Sequence, residues 1–121
     1  MNRIPSDLKL DEIVGSEIQQ IRCGRYDVQF DFHAGVVISV QGCITLLRRT
    51  TRVGGWDDSG NWSTLEFQGL LNIPATAYKI LNDRLLQIEF ANGLVLQIHD
   101  SSDQYESFQI SWPGTNVMLV V

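Results

Sequence analysis

The residues able to do acid–base, nucleophilic or metal chemistry are few in this 121-residue sequence: two histidines, His33 and His99, and two cysteines, Cys23 and Cys43. Cys23, His33 and Cys43 follow one another at intervals of ten residues, which invites a zinc reading. Structural zinc sites, however, draw ligands in close pairs about two to four residues apart, so that one short loop fixes half of the tetrahedron. The sequence holds no such pair. Histidines facing solvent or a partner are the simpler reading, since His33 falls in a turn and His99 ends a strand with outward parity. Asp57-Asp58-Ser59-Gly60-Asn61 alternates oxygen donors as a calcium loop does, but the twelfth position is Gln68 where that loop needs a bidentate Glu. A polar turn explains the segment. G-x-S-x-G, P-loop and G-x-G-x-x-G motifs are all absent. A triad would have to be assembled from residues distant in the chain, as triads can be. The expectation is a non-enzymatic protein with no cofactor and no metal.

A second chemistry is recognition. Trp56 and Trp62 bracket a glycine-rich acidic stretch holding Asp57 and Asp58, and aromatic anchors combined with charge are what protein interfaces use. Alternatively both Trp side chains fold inward and seal an open end of the fold. Asp100, Asp103, Tyr105 and Glu106 form a second compact acidic group. Net charge is -5, yet residues 22–52 carry five Arg against two Asp, while no Lys or Arg follows Arg84. An acidic protein of this kind is a poor ligand for nucleic acid, which is held by phosphate neutralisation. It suits a protein partner with basic groups, or simply a solvated acidic surface. No stretch has the roughly 18 apolar residues of a membrane span, and the N-terminus lacks the apolar core of a secretory signal. Cytoplasmic residence is the default expectation.

These groups must be positioned by strands. Val28 to Val40 aligns without gaps to Leu86 to Ile98, an offset of 58, with apolar, acidic and glycine positions coinciding. Side-chain parity decides the turn inside each copy. A two-residue Asn-Gly loop would set the two apolar rows on opposite faces, whereas the three-residue loops His33-Ala34-Gly35 and Ala91-Asn92-Gly93 put both on one face. Gly35 and Gly93 would then hold the left-handed position of a bulged turn. Gln41-Gly42-Cys43 reads as a further hairpin turn bringing Ile44 and Leu46 beside Val40 and Ile38. Weaker strands are expected near 18–23 and 76–81, a helical turn within 6–14, and a connecting loop over 52–63. The last segment, Val117 to Val121, has no polar row, so it is either buried on both faces or paired across a homodimer interface. The expected fold is one all-β domain over 1–121: an antiparallel meander forming a two-layer sandwich or flattened barrel, with an internal repeat whose units cover about 16–51 and 74–121.

The stretch from Leu86 to Ile110 resembles a segment of a family of small uncharacterised bacterial domains. Its distinguishing part is D-x-S-x-x-Y-E-S, carried by Asp100, Ser102, Tyr105, Glu106 and Ser107, and the resemblance covers about a fifth of the chain. Some members are thought to be immunity proteins paired with toxins, so the resemblance implies a protein partner. It brings no catalytic residues. The same Asp and Ser side chains also have a plain structural use, accepting backbone N–H groups at the approach to the next strand. Two rival readings stand beside the immunity-like one: a ligand-binding or catalytic β-barrel with its site near the Trp56–Trp62 loop, and a structural oligomer subunit.

Overall fold

Period-two alternation of apolar and polar residues drives this chain into strands that bury one face each. In the computed structural model the described residues are 3–57, 66–102, 106–114 and 118–121. They contain ten strands: β1 (Ile18–Cys23), β2 (Val28–Phe32), β3 (Val37–Val40), β4 (Cys43–Arg48), β5 (Thr51–Asp57), β6 (Ala75–Asn82), β7 (Leu85–Phe90), β8 (Leu94–His99), β9 (Phe108–Ser111) and β10 (Met118–Val120). They form two antiparallel five-stranded sheets, ordered β1-β2-β3-β9-β10 and β5-β4-β8-β7-β6. The sheets form a sandwich and do not close into a barrel. Among the described residues no helix is long and apolar enough to cross a membrane. One helical feature of the N-terminal region is a 3₁₀ turn at Asp11–Ile13, which buries Ile13.

The core is the row of inward side chains that parity picks out. Phe30, Ile38, Phe108 and Ile110 from one sheet, and Leu46, Leu86, Ile88, Leu96 and Ile98 from the other, are all at 0% exposure. Burying each contributes roughly 1.5–3 kcal/mol. Both hairpins have the three-residue loop. Val28 faces Val40 and Phe30 faces Ile38, while Leu86 faces Ile98 and Ile88 faces Leu96. Gly35 and Gly93 have φ of 98° and 86°, and their N–H groups donate to the carbonyls of Phe32 and Phe90. That left-handed backbone is open to glycine and costs other residues.

The next turn differs from the sequence expectation. Gln41 and Gly42 do not fold β4 back beside β3; they carry the chain across to the opposite sheet, where β4 lies between β5 and β8. The N–H groups of both residues donate to the carbonyl of Ser107, at 2.8 and 3.0 Å. A β-carbon on Gly42 would lie 2.7 Å from the Ser101 hydroxyl, so the crossing presses closely on the segment between β8 and β9. Parity cannot separate the two outcomes, because Ile44 and Leu46 reach the same core from either sheet.

A second correction concerns the expected loop over 52–63. Thr51–Asp57 is strand β5, paired with β4 from Arg48↔Thr51 to Cys43↔Asp57 with a bulge at Val53. The adjacent Gly54 and Gly55 imitate a loop in the sequence, but their places in the ladder are set by β4. The Arg52 side chain lies over Gly55 on the outer face.

Candidate functional site

The chain crosses between sheets twice, at Gln41-Gly42 and again between His99 and Phe108, and both crossings lie at the same end of the sandwich. The second crossing is the longer, and its described ends, at Asp100–Ser101 and Ser107, are tied by buried polar contacts. The Asp100 carboxylate, its side chain fully buried, accepts from Arg3 Nη1 and from the Ser107 hydroxyl, each at 3.1 Å. The Ser107 oxygen in turn accepts the N–H of Ser101 at 3.1 Å. Burying a carboxylate is tolerable only with such partners. Of the expected backbone contacts Ser107 makes one, while Asp100 bonds side chains instead; between them they clamp the N-terminal segment and the return strand together.

A cleft of about 470 Å³ opens between the two crossings, lined by Gln41, Gly42, Cys43, Asp57, Ser101, Ser102 and Glu106. Two acidic residues far apart in sequence thus face one space. The Glu106 carboxylate accepts from the Gln109 side-chain amide at 2.6 Å, a neutral partner that leaves its charge in place. A second cleft of about 440 Å³ adjoins it across Cys43 and Ser101, reaching Arg84, Leu85 and His99.

Cys43 separates the two clefts and sits in a cross-strand row with Asp57 on β5 and His99 on β8. Directly opposed side chains in such a row have β-carbons about 4.5–5.5 Å apart. The row does not have the order of a nucleophilic triad, in which the histidine stands between the nucleophile and the carboxylate. Here the cysteine is central, and the His99 Nε2 is engaged with the Thr45 hydroxyl at 3.0 Å. Burial holds the His99 imidazole below its ordinary pKa of 6.5, because desolvation disfavours the charged ring. Among the described residues no three of His, Cys, Asp and Glu gather to hold a metal ion.

The residues singled out from sequence are placed as follows. Asp57 and Glu106 are brought together at the first cleft. Trp56 is 2% exposed and points into the core opposite Ile44, which is the inward alternative. Asp100 is 3% exposed and held internally, so neither Trp56 nor Asp100 offers a partner any surface. Asp58, Trp62, Asp103 and Tyr105 lie outside the described residues. Sequence reasoning weighed Cys43 only as a metal candidate and Ser102 only within the D-x-S-x-x-Y-E-S run, and missed Gln41, Gly42 and Ser101 as site residues, since the nearness of all five depends on the crossing between sheets. The one signal was Gly42, a glycine between two apolar runs. Neither a family model, nor a curated protein, nor a solved structure matches this chain.

Proposed function

We propose that this chain is a non-enzymatic protein-binding module, immunity-like in type and cytoplasmic, which receives a basic segment of its partner at the crossover end. The observation that carries this reading is the convergence of Asp57 and Glu106 on one cleft. Paired acidic groups at a cleft rim steer a basic partner and fix its register. The resemblance of the Asp100–Ser107 stretch to bacterial domains with toxin partners supports the same reading. The test is co-purification of the tagged chain with the products of its neighbouring genes, using the wild type and an Asp57→Lys/Glu106→Lys variant of unchanged far-UV dichroism. A stoichiometric partner lost by the variant, and weakened by salt in the wild type, is expected. Recovery of no stoichiometric partner, or of one that the variant keeps, would reject the reading.

A second reading, association between copies of the chain, draws on the sheet edge at β10. Met118 is 54% exposed there and Leu119 and Val120 are half-buried, while Val121 is buried against Phe108. An apolar edge strand without a charged guard is a template for pairing. Mass measurement in solution tests it, and a monomer at high concentration would exclude it.

A further inference from the structure

We propose that this chain is a strand-exchanged pair of half-units joined in one polypeptide, and that a second copy of the chain can replace either half to give a swapped dimer. The proposal is independent of the partner reading above. Exchanging β1–β5 with β6–β10 turns the order β1-β2-β3-β9-β10 into β6-β7-β8-β4-β5, which is the other sheet. Each half builds a three-stranded meander and sends its last two strands across to complete the meander of the other half.

The correspondence extends to single hydrogen bonds. Gly15 N–H donates to Ala75 O at 2.7 Å, and Asn72 N–H to Ile18 O at 2.9 Å. His33 N–H donates to Glu17 O at 2.8 Å, and Ala91 N–H to Pro74 O at 3.0 Å. Gly15 and Asn72, at matching places before β1 and β6, both have positive φ, 82° and 63°. The bulge between Ile18 and Gln20 on β1 has its counterpart between Ala75 and Ala77 on β6. The bridges Val14↔Ala75 and Ile18↔Leu71 map onto each other, and Glu17↔Pro74 maps onto itself, so the approximate two-fold axis passes there. The hairpin glycines are matched too: Gly35 packs under Pro113, and Gly93 beside Arg49.

The energetic consequence follows from which strands pair. Within one half the meander and the strand pair share no ladder; they are joined to the rest of the sheets through β3 with β9 and through β4 with β8, which are contacts between halves. A half by itself would leave the edges of β3 and β4 open and the inward faces of Ile38, Val40, Ile44 and Leu46 without their cover. A second copy supplies the same complement, so a swapped dimer repeats the ladders and core of the monomer. The monomer is favoured only because the connection between β5 and β6 gives the halves a high effective concentration for each other. Shortening such a connection is the usual route to exchange.

The test is deletion of residues 58–65. Asp57 pairs with Cys43, whereas Glu66 bonds Arg48 at the other end of β4. Five residues of strand separate these ends, about 17 Å, and a direct peptide bond spans about 3.8 Å between Cα atoms. Closure within one chain is then prevented while closure between two chains is not. The expected product has twice the mass of the 13.7 kDa chain, a far-UV spectrum like the wild type, and a melting temperature that rises with concentration. As a second measurement, a protease site inserted between Asp57 and Glu66 of the full chain is cleaved after folding; the two fragments should co-elute, and should refold from urea only when mixed. A deletion variant that is a folded monomer, or that stays unfolded at every concentration, or fragments that separate in native buffer, would overturn the proposal.

Discussion

Gly35 and Gly93 share a backbone conformation but not an environment, and that difference makes a sharp prediction. Replacing Gly93 with Ala forces a β-carbon onto a residue with φ of 86°, a conformation costing non-glycine residues about 1–2 kcal/mol. Its nearest neighbour there is Arg49 Cγ at 3.6 Å, an ordinary contact. The loss of chain entropy in the unfolded state offsets about 0.4–1 kcal/mol, leaving about 1 kcal/mol of net destabilisation. Gly35→Ala carries the same strain, but its β-carbon would lie 2.7 Å from Pro113 Cβ and 3.1 Å from Cγ. A proline ring cannot swing aside, so an overpacking cost of about 1–3 kcal/mol is added, for a total of about 2–4 kcal/mol. For a 121-residue chain, 1 kcal/mol corresponds to about 4 °C in Tm. Calorimetry with urea titration should therefore show Gly93→Ala lowering Tm by about 4 °C and Gly35→Ala by about 8–16 °C. Pro113→Gly in the Gly35→Ala background should recover part of the difference in a double-mutant cycle. Equal losses for the two alanines, or no coupling to position 113, would refute the placement of the β9–β10 turn on the first hairpin loop. No loss at either position would refute the positive-φ loops themselves.

Three further outcomes follow from named contacts. Asp100→Ala strands the buried Ser107 hydroxyl and should cost about 1–3 kcal/mol in urea unfolding, and Arg3→Ala, which takes the cation from a fully buried carboxylate, should cost at least as much, about 2–3 kcal/mol; a loss under about 1 kcal/mol for Arg3→Ala would show that the Ser107 network, not the Arg3 pair, holds the crossing. Trp56→Ala opens a large cavity beneath β5 and should cost about 3–5 kcal/mol, and a loss under 1 kcal/mol would place that side chain outside the core. Because His99 has its folded pKa lowered below 6.5, the unfolded chain takes up its proton first as pH falls. Stability from this group is present above pH 6.5 and is lost from there down to the folded value. His99→Gln should flatten the stability profile as pH falls below about 6.5 relative to the wild type, and parallel profiles would dismiss the desolvation of the half-buried imidazole.

Side-chain alternation was enough to define the strands other than β5, the inward row from Val28 to Ile110 and the three-residue loops at Gly35 and Gly93, because a period of two and a turn residue are local properties of the chain. The types of Asp100 and Ser107 marked them for local hydrogen bonding, and Ser107 does accept the Ser101 N–H, but the partners of the Asp100 carboxylate, Arg3 and Ser107, were set by the fold. Parity was silent on which sheet a strand joins: Ile44 and Leu46 bury equally well from either side of the core, and only pairing with β8 and β5 sends β4 across. The same silence hid β5, whose glycines are held in the ladder by β4, and turned Trp56 from a surface anchor into core. The candidate site depends on both crossings at once. Sequence supplied Asp57 and Glu106 as acidic residues of two separate segments; their meeting at one cleft beside Cys43 was decided by the tertiary structure, because it is the exchange of strands between sheets that brings residues about fifty positions apart to the same end of the molecule.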